Sequence, residues 1–357
     1  MIFSIIIFPF LVAFILTAML TPIALIFIKK LGLVDDPKTH KHPALLHTKP
    51  IPRGGGIPLF VGITLTALFF VPINPITIAL FIASLIAVIV GTLDDKKDIS
   101  PYVRFGVNIL CALIVIAAGV NKPFITNPLG GILHLDSIVF TFSFFGKHTI
   151  TLFADALALL WIVWVMNMLN WSKGVDGQMP GIVAISAFVI GLVSLRFPLS
   201  DPSTSLAAYL SFILSGASIG FLLYNFYPAK IFPGYGTTFV YLLLSVVSIL
   251  ASAKLATAIL VMGIPMIDGI FTVVRRMLSG KSPFWHDNQH LHHILLRLGY
   301  GQRQIALFYW IVSAILGAVA LTLSSKGKIF AILMLVIIVG GGIFFLHVIS
   351  RYVIKKN

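Results

Sequence analysis

Apolar runs long enough to cross a lipid bilayer recur along this 357-residue chain. An α-helix needs about 20 residues to span the hydrocarbon core. Apolar residues make up 59% of the chain and charged residues 10%, against about 45–50% and about 25% in soluble proteins. We therefore predict an all-α integral membrane protein, and exclude a soluble enzyme, a secreted disulfide scaffold and a disordered chain. The eleven predicted spans are 3–29, 56–73, 75–93, 105–121, 150–168, 180–196, 205–224, 237–253, 255–273, 305–325 and 329–350.

The distribution of basic residues predicts the orientation of these spans. Lys and Arg concentrate in cytoplasmic loops of membrane proteins. With the N-terminus outside and the C-terminus cytoplasmic, the cytoplasmic segments hold 19 of the 25 Lys and Arg residues. The net charge of +14 is then explained by basic loops that orient the helices in the membrane and contact its anionic lipids. No nucleic-acid partner is expected. The cytoplasmic segments in this arrangement are 29–54, 94–104, 169–179, 225–236, 274–304 and 351–357.

Two further features complete the predicted architecture. Alternating apolar residues on either side of Phe145-Gly146-Lys147 predict a small outer hairpin near 131–152. We find no internal repeat, so the inverted-repeat pattern of many transporters is absent from the sequence. Residues 1–357 are expected to form one polytopic membrane domain.

Adjacent carboxylates, Asp94 and Asp95, end the third predicted helix. Paired acids at a membrane boundary are costly unless a cation or water compensates them. They suit a hard divalent ion, or one can hold the metal while the other contacts a reactant. The alternative is a solvated loop in which these acids pair with Lys96 and Lys97.

A dense polar segment follows the fifth predicted helix. Asn167 and Asn170 are three residues apart and share a helix face. Lys173, Asp176 and two glycines come next. The amides and the carboxylate can bind a uracil or sugar edge, and Asp176 can also bind metal. An ordinary polar helix end with a glycine stop is the alternative.

The run at 282–293 contains His290, His292 and His293 beside a basic segment. Their spacing cannot place all three on one helix face, which argues against a zinc site made by this run alone. Imidazoles beside Arg275 and Arg276 fit a phosphate-binding loop better. A basic loop that faces anionic lipid is the alternative.

Two more sites complete the predicted cytoplasmic cluster. Lys49 and Arg53 precede glycines 54–56 at the start of the second helix, where backbone amides can bind an anion. Asp268 lies within the ninth span, and an intramembrane Asp is a functional candidate by default. A structural face shared by Asp268 and Arg275, two helical turns apart, is equally compatible with the sequence.

In this order, these residues resemble the polyprenyl-phosphate N-acetylhexosamine-1-phosphate transferase family over nearly the whole chain. The HLHH form after Ser282-Pro283-Phe284 looks most like the bacterial branch that transfers N-acetylglucosamine 1-phosphate to undecaprenyl phosphate. The motifs that carry the resemblance are PRGGG at 52–56, DD at 94–95, NxxN at 167–170, GVDG at 174–177, the run 265–268 and SPFWHDNQHLHH at 282–293.

The resemblance implies that a UDP-N-acetylhexosamine gives its sugar 1-phosphate to polyprenyl phosphate and releases UMP. It implies that Asp94 and Asp95 are catalytic and that Asp95 and Asp176 hold Mg²⁺, with Mn²⁺ as a substitute. The remaining cluster residues would bind substrate, and a homodimer is implied. These substrate-binding residues are Lys49, Arg53, Asn167, Asn170, Lys173, Asp176, Asp268, His290, His292 and His293.

Two positions depart from the family pattern. Lys173 and Tyr235 stand where the family usually has metal-site acids, and a neutral phenol is a poor Mg²⁺ ligand. Either the remaining acids hold the metal alone, or Lys173 partly replaces a cation, or the chain no longer catalyses the reaction. A catalytically impaired family member and an ion or solute transporter are the alternative functions.

Overall fold

A computed structural model describes residues 2–38, 49–127, 131–143, 147–251, 255–285 and 287–354. The part it describes is predominantly helical. The helices are α1 Ile2–Lys30, α2 Gly56–Phe70, α3 Pro75–Lys97, α4 Pro101–Ala117, α5 Leu152–Trp171, α6 Gln178–Ser194, α7 Pro202–Asn225, α8 Thr238–Leu250, α9 Leu255–Val261, α10 Gly263–Leu278, α11 Leu291–Arg297, α12 Gln302–Thr322, α13 Ser325–Leu335 and α14 Gly341–Ile354.

Ten of the eleven predicted spans coincide with one continuous helical segment each. In the last of them, a π-helical turn at Val336–Gly340 joins α13 to α14. The single helix predicted at 255–273 is wrong, because α9 and α10 meet at a bend of 84°. Pro265 has no backbone N–H and so cannot donate the hydrogen bond that would continue helix α9. At the third position of a new helix this loss costs nothing, because the first four N–H groups of a helix have no partner within it. Gly263 is packed against α13, where an added Cβ would lie 2.6 Å from Leu335.

Within the described residues, six helical segments are long and apolar enough to cross a membrane, with α13 and α14 counted as one, or seven if the bent pair α9–α10 is one span. Four other apolar helices are shorter; the 15 residues of α2, for example, extend about 23 Å, less than the roughly 30 Å hydrocarbon core. The described chain is therefore a multi-pass helical membrane protein. The count of eleven crossings and their orientation stay predictions.

The centre of the bundle is formed by α8, whose residues are all buried. Small residues let α7 approach α1 closely, so that a Cβ on Gly220 would lie 2.5 Å from the Phe14 carbonyl oxygen. Such close backbone contacts are a main source of helix association in lipid. Large exposed apolar side chains lie on α1 and α14, for example Met19 and Phe344, as expected of lipid-facing helices.

Three short antiparallel strand pairs connect the helices. Strands β1 Val34–Asp35 and β2 Ile51–Pro52 pair beside α2. The predicted hairpin appears as β5 Val139–Ser143 paired with β6 Lys147–Thr151, while Phe145 and Gly146 at its tip lie outside the described residues. A second pairing, of β3 Phe124–Thr126 with β4 Ile132–His134, was not predicted from the sequence.

Three glycines bring α2, α3 and the 3₁₀ turn Tyr235–Thr237 into backbone contact. A Cβ on Gly91 would lie 2.5 Å from the backbone nitrogen of Gly236, and a Cβ on Gly56 would overlap the Gly236 carbonyl group. No side chain can retreat to relieve these contacts, because the neighbouring atoms belong to the backbone.

We expect Gly91→Ala to lower thermal stability through overpacking, by about 1–3 kcal/mol. The matched control is Gly106→Ala on α4, where an added Cβ meets nothing within 4 Å. This control should be neutral or slightly stabilising, since Ala favours helix over Gly. Melting curves of the purified variants in one detergent measure both effects, and equal curves for the two variants would contradict the packing argument.

Candidate active site

Asp94 and Asp95 lie in the last turn of α3 and are 3% and 8% exposed. Asp94 forms an ion pair with Arg104, whose Nε is 2.7 Å from the Asp94 Oδ1. The same oxygen accepts a hydrogen bond of 2.9 Å from the Ile99 backbone N–H. The alternative of a solvated loop is therefore wrong, because the acids are buried while Lys96 and Lys97 point to solvent.

The position of Arg104 follows from the turn between α3 and α4. Asp98 caps α3 in the left-handed conformation, with φ 47°, and Pro101 begins α4. The chain thus reverses within three residues, and the first turn of α4 faces the last turn of α3. Our sequence analysis missed Arg104. The signal was a proline-initiated helix with a basic residue in its first turn, directly after the acidic pair.

Asp95 is held by a side chain and a backbone group from distant parts of the chain. Its Oδ1 is 2.9 Å from the Arg53 Nε and accepts a 2.7 Å hydrogen bond from the Tyr235 backbone N–H. Asp35 lies 3.9 Å from the other side of Arg53. Burial opposes the charge of Arg53, but Asp95 and then Asp35 raise the pKa of its guanidinium above the ordinary value.

Tyr235 is 5% exposed and fills the space beside the two acids. Its hydroxyl accepts a 3.3 Å hydrogen bond from the Asn108 side chain on α4. Cations approach its ring from two helix ends: Arg104 at 5.3 Å and Lys173 at 5.5 Å from the ring centroid. These distances are those of cation–π contacts. Sequence reasoning singled out Tyr235 but missed Asn108.

Lys173 follows the end of α5 and joins the same cluster. Its Nζ donates a 2.9 Å hydrogen bond to the Gly234 carbonyl oxygen, in the turn that also carries Tyr235. Burial, and then the charge of Arg53, lower the pKa of Lys173 to about 7 despite the opposing attraction of Asp95. The sequence placed Lys173 in the site, and the structure brings it beside Asp95.

The acidic pair fits a hard divalent cation in part. The Oδ2 atoms of Asp94 and Asp95 are both buried and have no hydrogen-bond partner within the described ranges. Unpartnered carboxylate oxygens are what Mg²⁺ binds, with water and substrate phosphate completing its shell. Across those same ranges, however, no three His, Cys, Asp or Glu side chains converge on one metal position.

The other acid predicted to hold metal, Asp176, has a structural contact. Its Oδ2 accepts a 2.9 Å hydrogen bond from the Ala229 backbone N–H, and its own N–H donates to Gln302 on α12 at 3.1 Å. Asn225, a residue that sequence analysis missed, ties the same two loops by accepting from the Gly177 N–H at 3.1 Å. Asp176 thereby fixes the loop after α5 against the loop after α7.

The remaining predicted substrate-binding residues differ in whether their polar atoms are free to contact a ligand. Asn167 donates its amide to the Val163 carbonyl oxygen at 2.7 Å, within its own helix. The Oδ1 of Asn170 is buried without a hydrogen-bond partner among the described residues. Lys49 is exposed, and the structure does not place it against the acidic pair.

A second polar cluster surrounds Asp268 on α10. Its Oδ2 lies 2.9 Å from the His290 Nδ1, and its Oδ1 accepts a 3.0 Å hydrogen bond from the Leu291 N–H. Asp268 therefore holds His290 and the start of α11, while Arg275 bonds to Asp287 instead. The predicted alternative of a face built on an Asp268–Arg275 pair is not what forms.

The three histidines differ in environment. His290 and His292 stack in parallel at 5.6 Å, and His292 and His293 are 4.2 Å apart. Burial lowers the pKa of His292 well below its usual value, and burial with His290 and Arg297 lowers that of His293 to about 4. His290 differs from the other two in that its Nδ1 contacts the Asp268 carboxylate.

The loop that carries the histidines is fastened at two points. Asp287 binds Arg275 at 3.0 Å and Arg276 at 2.9 Å. Burial disfavours the charge of Asp287, but the Arg276 hydrogen bond lowers its pKa to about 2. Phe284 packs against Phe105 on α4 with ring centroids 5.1 Å apart. His286, part of the predicted motif, lies outside the described residues.

The segment 171–174 links the two clusters. Trp171 lies 6.1 Å from the His290 ring, and the Gly174 backbone packs directly on the His292 imidazole, where any Cβ would overlap it. Lys173, between them, reaches the acidic pair. The structure therefore gathers carboxylates, cations and imidazoles from five helix ends into one site, which can bind and polarise a multiply charged anion.

The chain is similar over most of its length to known transferases. The sequence model of glycosyl transferase family 4 matches residues 77–252. A probable undecaprenyl-phosphate N-acetylglucosaminyl 1-phosphate transferase of Bacillus subtilis is 28% identical, over 90% of this chain and 85% of the relative. The undecaprenyl-phosphate alpha-N-acetylglucosaminyl 1-phosphate transferase of Escherichia coli K12 is 29% identical, over 82% and 76%. The decaprenyl-phosphate N-acetylglucosaminephosphotransferase of Mycobacterium tuberculosis is 27% identical, over 87% and 81%.

We expect acetylation of Lys173 by acetic anhydride to reach half of its maximal rate near pH 7, because burial and Arg53 favour the neutral amine. Mass spectrometry of the Lys173 peptide measures that rate. Arg53→Gln removes a like charge and leaves Asp95 unpaired, so it should move the midpoint to higher pH. A midpoint that does not respond to Arg53→Gln would contradict the electrostatic coupling of the two residues.

Proposed function

The chain belongs to glycosyl transferase family 4, and we propose that it transfers N-acetylglucosamine 1-phosphate from UDP-N-acetylglucosamine to a polyprenyl phosphate. An oxygen of the acceptor phosphate attacks the β-phosphorus of the donor. The bond from that phosphorus to the bridging oxygen breaks, and UMP leaves with the electron pair. The product is a polyprenyl diphosphate-linked sugar that starts a lipid-linked glycan.

The observation that carries this proposal is the ring of cations around two buried carboxylates. Arg53, Arg104 and Lys173 surround Asp94 and Asp95, at the end of a helix that can span the membrane. Phosphoryl transfer needs positioned groups and charge stabilisation more than covalent chemistry. The cations would hold the donor diphosphate and stabilise the charge that builds on the departing UMP.

Mg²⁺, or Mn²⁺ in its place, is the proposed cofactor. When bound, it would neutralise the diphosphate charge and orient the reacting phosphates. The sequence-based ligand pair is Asp95 with Asp176. The unpartnered Oδ2 atoms of Asp94 and Asp95 support Asp94 and Asp95 as the main ligands. Asp176 would serve through the position of its loop, since its Oδ2 accepts from Ala229.

The second cluster is proposed to bind the donor nucleotide sugar. His290, oriented by Asp268 at 2.9 Å, can donate its other ring nitrogen to a phosphate oxygen. His292 and His293 shape the wall beside Gly174. Asn167, Asn170 and Lys49 are retained as candidate contacts to the sugar, the uracil or the acceptor phosphate.

The cellular setting is also a proposal. We propose eleven crossings of the plasma membrane, with the N-terminus outside, the C-terminus cytoplasmic, and the active site at the cytoplasmic face of one domain over 1–357. The 19 cytoplasmic Lys and Arg residues support this orientation. Membrane lipid surrounds the bundle, and a homodimer is proposed from the family resemblance. A catalytically impaired binder and a transporter receive no support from the relatives.

We expect Asp94→Asn and Asp95→Asn each to reduce UMP release on the order of 10²-fold or more, because each removes an anionic oxygen from the reacting centre. UMP is measured with purified protein, UDP-N-acetylglucosamine, polyprenyl phosphate and Mg²⁺, and its release should stop on addition of EDTA. The matched control is Asp136→Asn, the same chemical change at an exposed side chain. Near-normal turnover in both single variants would overturn the catalytic assignment.

We expect His290→Ala and Asp268→Asn to raise the KM for the UDP-sugar by about tenfold, the size of one lost hydrogen bond to a charged group. The control is His134→Ala, since the His134 side chain is 68% exposed. Elemental analysis of wild-type protein should find no stoichiometric zinc. Tightly held zinc that leaves with His290→Ala would instead assign the cluster to a metal.

A further inference from the structure

Each acid of the buried pair already has an arginine partner. Asp94 is matched by Arg104 at 2.7 Å and Asp95 by Arg53 at 2.9 Å. Each carboxylate thus has a guanidinium in contact. Lys173 adds a further amine to the same cluster, hydrogen-bonded to the Gly234 carbonyl oxygen. Lys173 therefore enters a site in which both buried acids are already paired.

Lys173 differs from the two arginines in what it contacts. Its Nζ donates to a neutral carbonyl oxygen, that of Gly234, and within the described part of the chain no carboxylate oxygen lies within ion-pair distance of it. An ammonium group has three N–H donors, and Gly234 uses one. Among the described residues no hydrogen bond occupies the other two, so a bound anion can accept from them.

The anchor of Lys173 sets where those donors lie. Gly234 O also accepts from the Thr237 hydroxyl at 2.9 Å, and the next residue, Tyr235, donates its N–H to Asp95. The Gly234 backbone packs directly on the Asp95 carboxylate, where an added Cβ would overlap Oδ2. One turn therefore holds both Lys173 and the carboxylate of Asp95.

We propose that Lys173 is a built-in cation for the diphosphate of the donor, and that this chain consequently binds a nucleoside diphosphate without a divalent metal ion. This inference rests on the proposed function. It assigns binding of the donor diphosphate and transfer of the sugar phosphate to different groups. Lys173, with Arg53 beside it, neutralises the bound diphosphate. A divalent ion on the Asp94 and Asp95 oxygens is then needed only for transfer.

The test is a binding measurement, independent of turnover. Isothermal titration of UDP into the full-length protein in lipid nanodiscs is performed in EDTA and again in Mg²⁺. For the wild type we expect the two dissociation constants to agree within about threefold. Lys173→Met should weaken UDP binding in EDTA by about tenfold or more, the equivalent of one charge-assisted hydrogen bond.

Two further variants separate charge from packing. Lys173→Arg keeps the positive charge and should retain binding in EDTA. Lys96→Met is the matched control, since Lys96 is exposed in the last turn of α3; it should bind UDP like the wild type. Melting curves of each variant report whether the fold is kept, and the wild-type comparison of EDTA with Mg²⁺ needs no variant at all.

The possible results distinguish failure of this inference from failure of the proposed transferase function. Wild-type protein that releases UMP but binds UDP more than about tenfold more weakly in EDTA overturns the role of Lys173 and leaves the transferase standing. Unchanged UDP binding by Lys173→Met in EDTA would likewise overturn the role of Lys173 and leave the transferase standing. Binding of UDP in EDTA without UMP release contradicts the transferase and supports Lys173. Absence of UDP binding in either buffer overturns both.

Discussion

Two carboxylates buried at the end of a membrane helix impose the conditions that the rest of the site meets. A buried charge is costly unless an opposite charge and hydrogen bonds compensate it. Here the compensation comes from the loop before α2, the first turn of α4 and the backbone N–H of Tyr235. Because these groups are far apart in sequence, the helices must pack correctly before the acids can be buried together.

Most helices and the principal acids could be predicted from the sequence, since apolar runs and paired Asp residues are local signals. Arg104 and Asn108 could not be recognised as readily, because their roles depend on how α4 turns back on α3. The bend between α9 and α10 was also missed. Pro265 was visible, but a proline near the start of a helix and one inside it look alike without the surrounding packing.

Residue type alone also does not reveal the partners of the acids. Asp176 looked like a metal ligand, yet one of its oxygens accepts from the Ala229 backbone, a partner 53 residues away that no local pattern indicates. Asp268 was singled out because an acid inside an apolar helix is rare. The alternative partner was Arg275, two helical turns along α10, whereas the structure supplies His290 from the following loop. Long-range pairings of this kind require the fold.

The contact between Asp95 and position 235 has an evolutionary consequence. The hydrogen bond to Asp95 comes from the backbone N–H of Tyr235, a group that every residue except proline possesses. The glycine contacts behind that turn are likewise backbone contacts. The scaffold of the acid is therefore separate from the side chain presented at 235. A substitution at position 235 can therefore change how strongly the site binds cations while the Asp95 carboxylate stays in place. The same fold can then carry different arrangements of charge in related chains.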